Sequence, residues 1–107
     1  MVESSIVKAI RLYLSALPGY GIHAGKAVLF GSFARGETRQ WSDIDLLVIA
    51  PEFDAHYTME IVKKLWIATK HGDDRIEPIP CGEREWESES ERAIVEIARR
   101  EGVIIAL

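Results

Sequence analysis

Two aspartates, Asp43 and Asp45, are separated by one residue within the segment 28–49, VLFGSFARGETRQWSDIDLLVI. Alternate residues of a β-strand share a face, so a strand that begins here directs both carboxylates to the same side. Two like charges this close repel each other, and either one pKa rises or a cation neutralises them. A hard divalent cation such as Mg²⁺ is the natural counter-ion, because it takes carboxylate oxygens together with phosphate oxygens.

A second polar feature lies earlier in the same segment, where Gly31 and Ser32 end a short apolar run. Glycine allows the backbone to approach a ligand closely, and the first turn of a following helix offers free N–H groups to phosphate. The Ser32 hydroxyl can reach a phosphate oxygen and can also cap that helix. Arg35, one turn later, and Arg39, in the next loop, can meet phosphate charge. The segment therefore predicts a binding site for a triphosphate next to a binding site for a metal ion.

The apolar pattern predicts the elements that position these residues. Helical spacing favours a first helix that ends before Pro18, and two short apolar runs, 27–30 and 44–50, are typical of buried strands. A helix capped by Thr58 follows, with an inward stripe that includes Trp66, and then a strand over 75–81. The order helix, strand, strand, helix, strand, helix indicates an α/β layer with three or four strands.

The C-terminal third completes this layer. Pro78 and Pro80 cannot donate ladder hydrogen bonds, which puts the strand over 75–81 at a sheet edge. A capping-box spacing at 88–91 predicts the start of the last helix. The tail 103–107 is apolar to its last residue, so it must dock on the core or on a partner.

Composition excludes several classes of protein. The 107 residues match one domain, 1–107, and the net charge of −4 argues against nucleic acid as a direct partner. One cysteine, Cys81, cannot build a disulfide framework. The N-terminus does not resemble a signal peptide, and no stretch approaches the roughly 18 apolar residues of a membrane span, so we expect a cytoplasmic protein. Homo- and hetero-oligomers both stay open.

The sequence GSFARGETRQWSDIDLLV resembles the GS-x-A-R-G…S-D-I-D-L signature of the minimal nucleotidyltransferases, a group in the DNA polymerase beta-like superfamily. The resemblance extends over most of the chain and implies a polymerase-beta-like α/β (α+β) fold, with helices packed on a small mixed sheet. It also implies transfer of a nucleoside monophosphate from a nucleoside triphosphate to a hydroxyl. In that comparison Gly31 and Ser32 hold the phosphates, Asp43 and Asp45 bind one or two Mg²⁺ ions, and Arg35 stabilises the triphosphate or positions the loop.

The family usually has a third acid, an aspartate, on the strand after the second long helix. Here that strand reads RIEPIP, and the matching residue is Glu77, with Ile76 facing the core. In similar enzymes the third carboxylate activates the acceptor hydroxyl as a base or second-metal ligand. Asp73 and Asp74 are weaker candidates, because they fall in the preceding turn. An exposed edge-strand charge is the plain structural interpretation of Glu77.

The resemblance also suggests a partner, since small proteins of this kind often pair with a HEPN-domain RNase toxin. Similar antitoxins transfer AMP from ATP to a tyrosine hydroxyl of that toxin and silence it. Two other functions stay open. The protein could be a non-catalytic binding module with a degenerate nucleotide site, or a nucleotidyltransferase for a small-molecule hydroxyl of the aminoglycoside type. Trp41, Trp66 and Trp86 could stack a purine, but burial in a core or interface is the commoner role of tryptophan.

Overall fold

The computed structural model of the protein describes residues 2–37, 42–88 and 90–107. Helices and strands are interspersed along these ranges, which confirms the predicted mixed α/β class. The helices are α1 (Ser4–Ala16), α2 (Ser32–Arg35), α3 (Met59–Ile67), α4 (Glu83–Glu87) and α5 (Ala93–Glu101), with 3₁₀ turns at Leu17–Tyr20, Pro51–Phe53 and Ala68–His71. The strands are β1 (Lys26–Phe30), β2 (Ile44–Ile49), β3 (Ile76–Cys81) and β4 (Val103–Ala106). In these ranges no helix is long and apolar enough to cross a membrane.

The four strands form one mixed sheet in the order β3-β2-β1-β4. β1 is antiparallel to both β2 and β4, whereas β2 and β3 are parallel and are connected through α3. β3 is an edge strand, as its two prolines predicted. Proline has no backbone N–H, so Pro78 and Pro80 lose no ladder hydrogen bond on the open side of an edge strand. Parallel β2 and β3 both begin at the same end of the sheet, and this end carries the candidate site.

Both faces of the sheet are covered, which explains why β1 and β2 are nearly continuous apolar runs. Alternate residues, such as Leu29, Leu46 and Val48, face the core made with α1 and α3. The other set packs against Val95 and Ala98 of α5. Members of that set are Val28, Phe30, Leu47, Ile49 and Cys81.

α3 lies against α1 through specific contacts. The hydroxyl of Tyr13 donates to the carbonyl of Leu65 at 2.9 Å, and Leu65 and Ala68 are fully buried. Because these two residues occupy the inner side of the helix, Trp66 is turned outward and is 48 % exposed. The prediction that Trp66 belongs to the inward stripe is therefore wrong.

The last third of the chain also departs from its prediction. The capping box at 88–91 does not start the last helix, since α5 begins at Ala93 with Arg92 at its N-cap. A short helix, α4, precedes it instead, and its first turn is capped from a distance. The Oδ1 atom of Asp54 accepts a hydrogen bond from the backbone N–H of Arg84 at 2.9 Å. A cap that comes from thirty residues away leaves no local signal in the sequence.

The apolar tail docks on the protein's own sheet as β4, where Ile105 is only 4 % exposed. Val103, Ile104 and Leu107 stay exposed. Gly102 precedes the strand, and a Cβ there would overlap Val28 Cγ1. Glycine at this position therefore lets the end of α5 lie directly on β1.

Candidate active site

The acidic residues meet where β2 and β3 begin. Asp45 is the second residue of β2 and pairs with Glu77, the second residue of β3, in the parallel register. Asp45 also pairs with Phe30, the last residue of β1. Ile76 is fully buried on the opposite face, as predicted for the neighbour of Glu77. The pairing of β2 with β3 thus brings together residues that are 32 positions apart in sequence.

The turn after β1 closes against this acidic group. Gly31 has φ +75° and ψ −152°, a conformation that residues with a side chain rarely adopt. A Cβ on Gly31 would overlap Oδ2 of Asp45 and would lie 3.2 Å from its Cγ. Backbone conformation and space both require glycine here, so the Gly-Ser turn and the carboxylate are direct neighbours.

Ser32 has a different local role from the predicted one. Gly31 is the N-cap of α2, and Ser32 is the first residue inside the helix, so the prediction that Ser32 caps α2 is wrong. The positive φ of Gly31 starts the helix one residue earlier than a serine cap would. Ser32 is half-buried and lies immediately beyond the residue that contacts Asp45.

The electrostatics of the three carboxylates are unfavourable. Burial and the neighbouring charge of Asp43 raise the pKa of Asp45 above its ordinary value, while a hydrogen bond with Glu77 and the charge of Arg35 act in the opposite direction. Burial also raises the pKa of Glu77, together with the charges of Asp43 and Asp45 and the hydrogen bonds to them. A group of acids in which two pKa values rise is typical of a site that receives a cation or a proton.

Arg35 lies near this group but is engaged by other acids. Its Nε donates to Glu37 at 3.2 Å, and its Nη1 donates to Glu101 at 3.5 Å. Glu101 is a residue that the sequence did not point to, because 66 positions separate it from Arg35. The only local signal is the following Gly102, which holds the end of α5 against β1. The predicted phosphate contact Arg39 and the tryptophan Trp41 lie outside the described residues.

A second arginine ties the turn before β3 to α2. The guanidinium of Arg75 lies over the ring of Phe33, 5.5 Å from its centroid, and forms two side-chain hydrogen bonds with Asp73. Asp73 is thereby occupied with Arg75, which holds the pKa of this carboxyl below its ordinary value. This pairing argues against Asp73 as the third acid and leaves Glu77 beside Asp45.

The donor set suits a hard cation, since Asp43, Asp45 and Glu77 supply only carboxylate oxygens. Their present arrangement is not a preformed cage. Among the residues that the structure describes, no three His, Cys, Asp or Glu side chains are set as ligands around one point. Asp45 and Glu77 instead lie opposite each other in the parallel register of β2 and β3. The chemistry of these side chains fits Mg²⁺, which would neutralise their neighbouring charges.

Comparison with known proteins identifies the family of this chain. Residues 7–103 match the nucleotidyltransferase domain family, which covers most of the chain and includes both the glycine turn and the acidic group. The chain belongs to this nucleotidyltransferase family. This family agrees with the polymerase-beta-like fold that the GSFARG and SDIDL segments predict.

One curated relative is a protein of Methanocaldococcus jannaschii named "Putative protein adenylyltransferase MJ0604". It is 39 % identical to this chain over 59 residues. The match covers 54 % of this chain and 58 % of the relative, so the two are compared over little more than half of either chain.

Proposed function

We propose that this protein is a Mg²⁺-dependent nucleotidyltransferase that transfers AMP from ATP to a hydroxyl group of a partner protein. The observation that carries the proposal is the contact between Gly31 and Asp45, with Glu77 opposite Asp45 in the sheet. A phosphate-binding turn and a carboxylate group must touch if a metal is to bridge protein and triphosphate.

We propose a role for each residue of the site. Gly31 and Ser32 would lie along the triphosphate, where a hydroxyl and close backbone approach favour phosphate oxygens. Arg35 leaves Glu37 and Glu101 to meet phosphate charge, an exchange that is easy because its side chain is about half exposed. Arg39 is proposed as a further phosphate contact.

Asp43, Asp45 and Glu77 would hold one or two Mg²⁺ ions, which neutralise charge on the phosphates and orient them. The acceptor oxygen attacks the α-phosphorus of ATP, the bond from that phosphorus to the bridging oxygen breaks, and pyrophosphate leaves. We propose that Glu77 accepts the proton of the acceptor hydroxyl. Its position opposite Asp45 in the sheet supports this role, because a carboxylate next to the bound triphosphate can accept the proton of an incoming hydroxyl.

The proposal also specifies which molecule supplies the acceptor hydroxyl. The name of the Methanocaldococcus jannaschii relative supports a protein acceptor. The resemblance to minimal nucleotidyltransferases supports a HEPN-type toxin as that protein, with this chain as the antitoxin that adenylylates and neutralises it. The partner would supply the acceptor hydroxyl next to Glu77.

The test is to incubate the protein with Mg-ATP and a co-expressed HEPN-domain partner, and to measure intact masses of both chains. We expect the partner to gain one or more AMP units. The Asp43→Asn/Asp45→Asn variant should lower the rate by about a hundredfold or more, since loss of metal charge removes several kcal/mol of transition-state stabilisation.

The control is Glu91→Gln, which removes an exposed carboxylate from the turn before α5 and should leave the rate unchanged. Labelling that persists undiminished in the double variant would show that the assigned site is wrong.

A non-catalytic binding module is the second candidate. It is favoured by one observation, the absence of a preformed set of three ligands among residues 2–37, 42–88 and 90–107. This candidate predicts that the Asp43→Asn/Asp45→Asn variant neutralises the partner as well as the wild type does, with no change of mass in either chain.

A further inference from the structure

Arg75, in the turn before β3, contacts both halves of the candidate active site. Its guanidinium lies over the ring of Phe33 in α2, 5.5 Å from the ring centroid. Its backbone carbonyl accepts a hydrogen bond at 2.9 Å from the N–H of Ile44, the residue between the two aspartates of the site. One residue therefore joins the helix that follows the glycine turn to the strand that begins with the carboxylates.

The short helix α2 depends on such outside contacts. It has four residues, and Phe33 is its one buried side chain. Ser32 before it is half-buried and Arg35 is exposed. A helix of one turn has little stability of its own, so tertiary contacts must hold it in place. The position of Ser32 and Arg35 relative to the carboxylates therefore depends on how firmly Phe33 is held.

The guanidinium of Arg75 is itself fixed before it meets the ring. Oδ1 of Asp73 accepts hydrogen bonds from Nε and from the backbone N–H of Arg75, at 3.0 and 2.8 Å, and Oδ2 accepts one from Nη2 at 2.7 Å. The turn is anchored on α1, because a Cβ on Gly72 would lie 2.9 Å from the Cβ of Tyr13. Two hydrogen bonds to one carboxylate fix the plane of the guanidinium, and a fixed plane suits stacking on an aromatic ring.

The stacked pair lies on the core side of α2, away from the carboxylates. Phe33 belongs to the core between the sheet and α1. Asp45 pairs with Phe30, which belongs to the cluster under α5 on the other face of the sheet. Directly paired residues share a face, so Asp45 and Glu77 point to the α5 side. Arg75 therefore meets α2 from the core side, and its guanidinium acts on the site through Phe33.

We propose that Arg75 is a positioning residue for nucleotidyl transfer, which fixes α2, through Phe33, at the place where triphosphate and metal can meet. The role of Asp73 is to hold the guanidinium. This inference rests on the proposed function, since only a reaction at the site makes the placement of α2 matter. Misplacement of reacting groups by about 1 Å can lower a rate by about a hundredfold.

The first measurement is amide hydrogen exchange by NMR, which requires no activity. The amides of Arg35 and Glu37 report on α2, because they donate hydrogen bonds to carbonyls at its start, at 3.2 and 2.9 Å. In Arg75→Gln and in Asp73→Asn we expect both amides to exchange about threefold to tenfold faster, as the loss of one stacking contact would give. The amide of Ile44 should exchange as in the wild type, because the carbonyl that it donates to is unchanged.

The second measurement is the rate of AMP transfer from Mg-ATP to the co-expressed HEPN-domain partner, at several ATP concentrations. In Arg75→Gln we expect kcat to fall by about tenfold or more, with the KM for ATP changed by less than about twofold, because misalignment slows the reacting step more than it weakens binding. A rise in KM at unchanged kcat would mean that Arg75 binds the triphosphate directly, and the positioning role would be wrong.

A double-mutant cycle tests the path through the ring. Phe33→Leu removes the aromatic face but keeps an apolar side chain in the core. If Arg75 acts through Phe33, then Arg75→Gln should have no further effect on α2 exchange or on kcat once Phe33→Leu is present. Fully additive effects would contradict the proposal.

The matched control is Arg99→Gln, because Arg99 has the same two kinds of contact at α4 and α5. It lies over the ring of Trp86, 5.0 Å from the ring centroid, and forms an ion pair with Glu96. The variant should lower the free energy of unfolding at least as much as Arg75→Gln does, since Arg99 also donates to backbone carbonyls. It should leave kcat and the exchange of the α2 amides unchanged.

The outcomes separate this inference from the proposed function. If Arg75→Gln speeds exchange in α2 but the wild type transfers no AMP, the proposed activity fails and the anchoring of α2 by Arg75 stands. If the α2 amides exchange equally in Arg75→Gln and the wild type, Arg75 does not position α2. If Arg99→Gln speeds the same amides or lowers kcat as much, the effect is general loss of stability and the positioning role is wrong.

Discussion

Glu85 and Asp45 are both half-buried carboxylates, yet their surroundings move their pKa values in opposite directions. Glu85 accepts hydrogen bonds from Nε and Nη2 of Arg92 at 2.9 and 2.6 Å, and from the hydroxyl of Ser90 at 2.6 Å. The hydrogen bonds from Arg92 are the largest cause of its pKa of about 2. Arg92 also donates to the carbonyl of Pro80, so this cluster fastens α4 and the start of α5 to β3.

Asp45 has no such compensation. Its neighbours in the sheet and at the start of β2 are Glu77 and Asp43, and the charge of Arg35 only partly offsets burial and repulsion. The Gly31 turn also lies close to its carboxyl group, with no room for a side chain between them. A protein that pairs Glu85 so completely could have paired Asp45 in the same way. This difference is what we expect if the Glu85 cluster serves stability and the Asp45 cluster receives a ligand, as proposed above.

The largest effect should come from Gly31→Ala, which tests whether the turn and Asp45 must touch. The new Cβ forces a strained positive φ and overlaps the carboxyl of Asp45. We expect a loss of about 3 kcal/mol in the free energy of unfolding, of which the strain alone is about 1–2 kcal/mol. Nucleotidyl transfer should be lost as well. Thermal and urea unfolding, with the mass assay, measure both.

Gly36→Ala is the control for this prediction, because Gly36 has φ +74° but no atom within 4 Å of its added Cβ. It should show the cost of strain alone, about 1–2 kcal/mol, with transfer retained. Equal losses in the two variants would mean that the contact with Asp45 contributes nothing.

The next effect concerns the Glu85 cluster and its dependence on pH. The pKa of Glu85 is lowered in the folded protein, so its stabilisation is complete above the ordinary value of 4.5 and is lost as the pH falls toward about 2. Glu85→Gln should therefore lower the free energy of unfolding at pH 7 by about 1–2 kcal/mol, a figure reduced for the partial exposure of Arg92.

The same variant should flatten the decline of stability between about pH 5 and pH 2, which urea unfolding at several pH values measures. Arg92→Ala should be at least as destabilising at neutral pH, because it leaves the half-buried Glu85 unpaired. A decline with unchanged slope in Glu85→Gln would assign the acid sensitivity to other carboxylates.

The two clusters also differ in how far the sequence predicts them. Asp43, Asp45, Gly31 and Ser32 lie within fifteen residues of one another, and their spacing predicts a shared site because strand alternation and a glycine turn are local rules. Glu77 is predictable only through the family resemblance. The fold class and the edge position of β3 also follow from local patterns.

The Glu85 cluster could not be predicted in this way. It depends on the short helix α4, which is capped by Asp54 from thirty positions away, and on a path for Arg92 that leads to the carbonyl of Pro80. The contact of Glu101 with Arg35 and the outward turn of Trp66 have the same origin. Each depends on which surfaces meet after the sheet has formed, and side-chain type alone does not determine that.

The smallest effect is also the most direct test of the comparison. Glu77→Gln keeps the shape of the side chain but removes one of three neighbouring negative charges, so repulsion on Asp45 falls. We expect the free energy of unfolding at pH 7 to rise by up to about 1 kcal/mol, while nucleotidyl transfer falls because the proposed base is lost.

The exposed Glu91, in the turn before α5, provides the matched variant Glu91→Gln, which should change neither quantity. Added Mg²⁺ should stabilise the wild type more than Glu77→Gln, since a cation relieves the same repulsion. If Glu77→Gln is instead less stable than the wild type, the carboxylates at the start of β2 and β3 hold the fold together as Glu85 does, and the contrast between the two clusters fails.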